Sequence, residues 1–381
     1  MGPDSPLFDD RPLPVGEHVR ILLEAKRWTQ DDLAGITGYS RSALNELIVG
    51  KTGITLEMAI ALAGVFGTTP EHWVLLDTKH RLSLTNQNRD GFARWARVYD
   101  YAPVKDMQKR GWIKSVKSPE EIEVELRKFF NVESLDALPE FPLAARKSAP
   151  LADLTPAQRA WCFRVRQLAK APPSNPFDPS KMPKAEAALR RLAAYPGESS
   201  RVAEVLSKVG IRFVVVEPIA AAKIDGCAFW LDPDSPVIGL SLRFDRIDFF
   251  WFTLMHEWAH IKHGDCLSVD TDLHPEVRLP TLLKDEIERR ADAEAANAMI
   301  PSSEIESFVR RVGPLYSKQR IVQFAHTMKI HPGIIVGQLQ HRGEIGYRSN
   351  REMLAKVRVH VVESCIADGW KQTISPDGED G

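Results

Sequence analysis

Apolar positions along the chain follow two different periods. Between residues 16 and 80 the spacing is helical. Val19, Leu22, Leu23 and Trp28 mark a first helix, and Thr29 is placed to cap a second that stops at Gly38. Ser40 opens a third helix ended by Gly50, Thr55 opens a fourth, and a fifth runs around Glu71 to Leu76. Ala34, Ile36, Leu44, Leu47 and Ile48 are expected to pack inside this small all-α unit. Residues 81–200 read as further helices, notably 119–130 and 154–170, followed by the Pro-rich stretch 171–183 as a linker candidate. After a helix near 199–208 the period shortens. Residues 211–218, 227–233 and 237–243 are β-rich runs bounded by turn residues. A long apolar helix follows, then an irregular stretch 264–281, a helix over 283–299 and more helices to about 343. The expected fold class is therefore mainly α with a small β-sheet (α+β).

With 381 residues, two or three domains are expected, and 44% hydrophobic content suffices for sizeable cores. The net charge of −1 hides an uneven distribution. Residues 1–80 carry 7 Lys+Arg against 11 Asp+Glu, whereas residues 81–200 carry 21 against 14. The middle third is thus better suited to a polyanion than the N-terminal third. Four scattered cysteines without a CxxC pair predict reduced thiols. No signal-like segment or membrane-length apolar run is present, so a cytoplasmic protein with no membrane association is expected.

The long helix contains FTLMHEWAHIKHG (252–264), with His-Glu-x-x-His at 256–260. Residues four apart share a helix face, so His256 and His260 can converge on one cation, with Glu257 beside them. The preceding IDFFWFTLM is apolar almost all round, which predicts burial, and buried imidazoles and carboxylates need partners. A catalytic zinc site needs a third ligand and an open position. Glu288 in EIERRADAEAANAMIP is the best candidate, with Asp292 one turn on to orient a ligand histidine. Ala291, Ala295 and Ala298 are small enough to let the two helices approach closely. His263, Asp265, Asp272, His274 and Glu276 are rival third ligands, His263 also reading as a helix-end cap. Cys227 and Cys266 are either thiol ligands or inert core residues. Ligand type favours Zn²⁺, with Mn²⁺ as the alternative.

FTLMHEWAHIKH, the following E-x-x-A-D-x-x-A-x-x-x-x-x-P at 288–301, PVIGLSLRFDRIDFFW, and FAHTMKIHPGIIVGQLQHRG (324–343) together resemble the ImmA/IrrE family of zinc metallopeptidases. The resemblance covers about 205–343. It implies a gluzincin-like site with His256, His260 and Glu288 as ligands and Glu257 as general base. Glu294 stands where that family's second motif usually has an aromatic. Tyr316, His326 and His331 are candidate oxyanion donors.

At the N-terminus, RWTQDDLAGITGYSRSALNELIVGK (27–51) has the helix, turn and helix layout that puts a second helix in the DNA major groove. Arg41, Ser42 and Asn45 are placed to read base edges, and Gln30 and Lys51 to meet phosphates. This module resembles the lambda-repressor-like family and, within it, HigA-type antitoxins, through SRSALNELIVGKTGITLEMAIALAGVFGTTPEHWVLL. That resemblance implies operator binding as a homodimer.

The expected organisation is a helix-turn-helix domain at 14–80 and a helical middle segment at 81–200. A metallopeptidase domain follows at 205–345, then a partly disordered extension at 346–381. The leading functional expectation is a DNA-binding regulator with a zinc endopeptidase that cleaves a protein, such as a repressor. The alternative is an antitoxin-like transcription factor whose metal domain only senses or binds a toxin partner.

Overall fold

The computed structural model describes residues 13–84, 89–136, 154–171, 175–265, 268–271 and 286–370. Within these the fold is mainly α with one small mixed sheet, and the chain divides into two units, 1–93 and 94–381.

The N-terminal unit holds α1 (Val15–Lys26), α2 (Gln30–Thr37), α3 (Arg41–Ile48), α4 (Leu56–Phe66) and α5 (Pro70–Leu84). Polar residues start three of them. Thr29 and Asp32 form a capping box on α2, while the Ser40 and Thr55 hydroxyls accept from the Ala43 and Met58 amides, each at 3.2 Å. Gly38 closes α2 in the left-handed conformation at φ 76°. The core is built on Val19, Leu23, Leu33, Leu44, Leu47, Leu62 and Trp73. Gly16 sits against the Ile48 backbone, an approach with no room for a Cβ. Ile36 departs from the expected packing: it is 52% exposed. The inward stripe of α2 runs through Leu33, Ala34 and Thr37, which leaves Ile36 off its edge.

The larger unit is a sheet covered on both faces. Its strands are β1 (Arg212–Val216), β2 (Ile224–Trp230), β3 (Pro236–Leu240), β4 (Ser268–Thr271) and β5 (Ile366–Asp368), in the order β4-β2-β3-β1-β5. β1 pairs parallel with β3 and β5, and β2 pairs antiparallel with β3 and β4. Side-chain alternation divides the core. Phe213, Val215, Ile238 and Leu240 face one layer, built on α10 (Met182–Leu192), α11 (Val202–Val209), α12 (Ile247–His263) and the helices that follow α12 in sequence. Val214, Val216, Cys227, Phe229 and Val237 face the other, built on α8 (Pro119–Phe130) and α9 (Pro156–Leu168). Two covered faces explain why the strands read as near-continuous apolar runs.

This layering revises the expected boundaries. The 81–200 stretch does not stand apart, because α8 and α9 form one of the two layers on the sheet. The described part of the Pro-rich stretch carries the chain from one sheet face to the other. There Phe177 packs edge-on against Trp230 at 5.2 Å, and the Asp178 amide donates to Val209 at 2.8 Å. Residues beyond 345 also return to the core. β5 joins β1, and Asp368, 2% exposed, is gripped by the buried Arg164 guanidinium of α9 and by the Trp112 indole N–H at 2.8 Å. The arm before residue 13 and the acidic tail from Ser375 lie outside the described residues. Among the described residues no helix is long and apolar enough to cross a membrane.

The Arg164–Asp368 pair makes a measurable demand on stability. Replacing Asp368 by Asn strands a buried cation, and urea unfolding should show a loss of about 3–5 kcal/mol. The double change Arg164→Met, Asp368→Leu should recover most of that loss, because both charges then leave the core together.

Candidate metal centre and helix-turn-helix surface

Helix α12 carries the histidine pair through the middle of the larger unit. Fourteen of its 17 residues are buried, and Gly264 ends it in the left-handed conformation at φ 69°. His256, Glu257 and His260 are each 0% exposed. Beside them lies α13 (Glu286–Met299), whose buried Ala291 and Ala295 let the helices approach closely. The approach brings Glu288 to the histidines. Its Oε2 is 3.2 Å from His256 Nε2 and its Oε1 is 3.6 Å from His260 Nε2. The two Nε2 atoms are 3.1 Å apart, and one ligand atom from each of the three residues falls within 4.8 Å of the others.

The outer nitrogens face carboxylates. His256 Nδ1 lies 3.1 Å from Asp292 Oδ1, and His260 Nδ1 lies 2.9 Å from Asp265 Oδ2. Arg290 in turn holds Asp265 through contacts of 2.8 and 3.1 Å. A carboxylate at Nδ1 draws the imidazole proton there, leaving each Nε2 as a lone pair. Two lone pairs and a carboxylate oxygen then meet where two buried imidazoles face a half-buried carboxylate. A divalent cation satisfies all three at once, and two imidazoles with one carboxylate are a donor set suited to zinc. Burial alone would push the Glu288 carboxyl up, but hydrogen bonds and charge from His256 and His260 outweigh it and hold Glu288 far below the usual carboxylate range.

Glu257, next to His256 on the same helix, lies against β2. Its Oε1 lies so near Gly226 of β2 that a Cβ there would fall 2.3 Å away. The sheet thus comes within contact of this carboxylate only because position 226 lacks a side chain. Strand alternation puts Gly226 on the α12 face with Ala228, while Cys227 turns to the opposite core. Cys227 is therefore not available as a thiol ligand.

The rival ligands separate. Asp265 is an outer partner of His260, fixed by Arg290, because five residues past His260 the chain has already left the helix and approaches the ring from its Nδ1 side. His263 bonds Glu294 at 2.6 Å, and Lys262 reaches the same carboxylate at 2.9 Å. This gives Glu294 its place: it ties the C-terminal end of α12 to the middle of α13. Asp272, His274, Glu276 and Cys266 lie outside the described residues. Of the proposed oxyanion donors, Tyr316 gives its hydroxyl to Glu344 at 2.6 Å, with burial and that carboxylate pushing its pKa up to about 12. His331 caps α16 (Pro332–His341) through its Nδ1, and His326 is exposed on α15 (Lys318–Met328). Arg290 went unnoticed in the sequence, where the run ERRAD offers no sign of which arginine turns toward the histidines.

A cavity of about 120 Å³ adjoins the centre between α12, α13 and α16. Phe249, Phe252, Ala295, Met299 and Ile334 line it, with His341 and Arg342 also in its wall. Phe252 belongs to both places, since its ring packs on His256 at 6.2 Å.

In the N-terminal unit, Arg41, Ser42 and Asn45 on α3 and Lys51 after it are exposed, and Gln30 on α2 is half-buried. Arg41 Nε lies 3.4 Å from Asp31 Oδ1, an ion pair that is itself exposed. The surface thus offers two cations, one of them partly offset by an acid.

Comparison with known proteins bears on this unit. The helix-turn-helix model HTH_3 matches residues 19–73. A helix-turn-helix-type transcriptional regulator of Haemophilus influenzae, itself uncharacterized, is 40% identical over 70 residues, 18% of this chain and 65% of that relative. The chain therefore spans just under two thirds of that relative's length. Among solved structures, a candidate antidote protein of a plasmid maintenance system from Nostoc punctiforme is 28% identical with a TM-score of 0.20, covering 23% of this chain and 96% of its own. A HigA-family addiction module antidote protein from Coxiella burnetii is 21% identical with a TM-score of 0.19, covering 28% and 98%. Residues 19–73 are a helix-turn-helix domain.

Proposed function

We propose that this protein is a DNA-binding transcriptional regulator whose larger unit is a zinc-dependent endopeptidase acting on a protein substrate. The observation that carries the second half is the convergence of buried His256 and His260 with half-buried Glu288, each histidine backed by its own carboxylate. A structural zinc would take a fourth protein ligand. Among the described residues the cluster has three, and Cys227 faces away.

His256, His260 and Glu288 would hold the zinc, which would supply a Lewis acid and acidify a water enough for nucleophilic attack near neutral pH. Glu257, buried next to His256 on α12, would act as the general base, taking a proton from the attacking water and passing it to the departing amine nitrogen as the peptide C–N bond breaks. Gly226 keeps the Glu257 carboxylate in place by leaving it room. Asp292 and Asp265 hold the imidazoles in the tautomer that presents Nε2. The apolar cavity beside Phe252 suits a medium-sized apolar side chain of the substrate. The helix-turn-helix domain, through Arg41, Ser42 and Asn45, brings the protein to an operator.

Three sets of measurements test this reading. Glu257→Gln keeps shape and metal ligands but removes the base. Cleavage of the substrate should fall by about 10²–10⁴-fold while zinc content and operator binding hold. Gly226→Ala, by displacing the same carboxylate, should lower turnover with zinc retained. Equal biological activity of wild type and Glu257→Gln would instead support a metal-sensing or toxin-binding regulator.

Zinc analysis after dialysis should give about one ion per chain for the wild type and nearly none for His260→Ala or Glu288→Gln. Asp265→Asn or Asp292→Asn should weaken zinc binding by about 10–100-fold. Against a duplex selected from a random pool, Arg41→Ala or Asn45→Ala should cost about 1–3 kcal/mol and relax specificity at one position. Lys51→Ala should weaken binding to all sequences alike and flatten its salt dependence.

A further inference from the structure

Away from the metal centre, two clefts adjoin near the C-terminal end of α9. The first, about 1130 Å³, lies between the 111–115 loop, α8 and α9; the second, about 440 Å³, lies beside β1. They share Ala171 and Ile366. Neither belongs to the site already described.

Their chemistry is one-sided. Lys114, Lys128 and Lys170 line the first cleft, where Glu125 is the one carboxylate in its wall. Glu125 is already engaged, 2.9 Å from the Lys128 ammonium and accepting from the Lys114 amide at 3.2 Å. Arg164 of the same wall is committed to Asp368. In the second cleft Arg212 contributes a guanidinium whose Nε and Nη1 are buried and donate no hydrogen bond among the described residues. Glu363 is the acid of that wall, and among the described residues Asp232 is a carboxylate whose charge reaches Arg212. Cations held in a concave surface with too few acids call for an anion. Part of the remaining wall is apolar, with the rings of Trp112 and Phe129 largely buried behind it. Trp112 stacks on Phe129 at 6.1 Å and 11°, flanked by Leu168 and Ile366. An apolar wall beside fixed cations suits a ring joined to a phosphate.

We propose that these clefts form one site for a small phosphorylated ligand with a flat apolar body, of the mononucleotide class. The phosphate meets Lys114, Lys170 and Arg212, and the ring lies along the wall backed by Trp112 and Phe129. The site is concave, which favours a small molecule over a nucleic-acid strand. It is independent of the metal centre and of the helix-turn-helix surface.

Isothermal titration calorimetry on the full chain tests it, using AMP, GMP, CMP and UMP, the matching nucleosides, inorganic phosphate and a single-stranded oligonucleotide. At least one mononucleotide should bind saturably, with its nucleoside and inorganic phosphate each about tenfold weaker or more. The exposed double change Lys114→Glu, Lys170→Glu should weaken that binding by about tenfold or more while the urea midpoint stays put. Arg212→Met should act in the same direction, and the lysine variant carries the test if Arg212→Met fails to fold. No mononucleotide binding at millimolar concentration, or equal binding by the lysine variant, overturns the proposal. Tighter binding of the oligonucleotide with the same lysine dependence overturns it in favour of a nucleic-acid surface.

Discussion

Burying imidazole and carboxylate groups inside an apolar helix is the constraint around which the larger unit is arranged. Each such group taken from water costs several kcal/mol unless it meets a partner of the right kind. α12 buries three of them within five residues. Every neighbouring element answers that demand. α13 supplies Glu288 and Asp292, the turn after α12 supplies Asp265, Arg290 fixes that turn, and β2 withdraws its side chain at Gly226. The small residues of α13 and the glycine of β2 serve one end: backbones must come close for short side chains to meet.

Much of this was legible in the sequence, for identifiable reasons. The four-residue spacing of His256 and His260 and the apolar run before them fix a helix face and its burial without reference to anything distant. Glu288 and Asp292 could be named because their own i, i+4 spacing and the alanines at 291, 295 and 298 describe a helix built to lie against another. The caps at Thr29, Ser40 and Thr55 are local signals and appear where local chemistry requires them.

What the sequence hid was long-range. Nothing near Asp265 shows that it would meet the outer rather than the inner nitrogen of His260, since that depends on the path of the chain after Gly264. Residues 81–200 read as a separate block because a helix that covers a sheet carries no mark of which sheet it covers. The return of residues 366–368 was invisible, because three residues are too short to show a period. Ile36 was misjudged for a different reason: in an eight-residue helix a rotation by one position moves a side chain from core to solvent.

The partners Arg164 and Asp368 stand 204 residues apart in sequence. A nascent chain leaving the ribosome therefore exposes Arg164 long before the acid that neutralises it has been translated. The helix-turn-helix domain needs nothing from that late segment and can fold while synthesis continues. The sheet layer resting on α9 has to wait, so the order of translation makes the N-terminal domain the earlier of the two to mature.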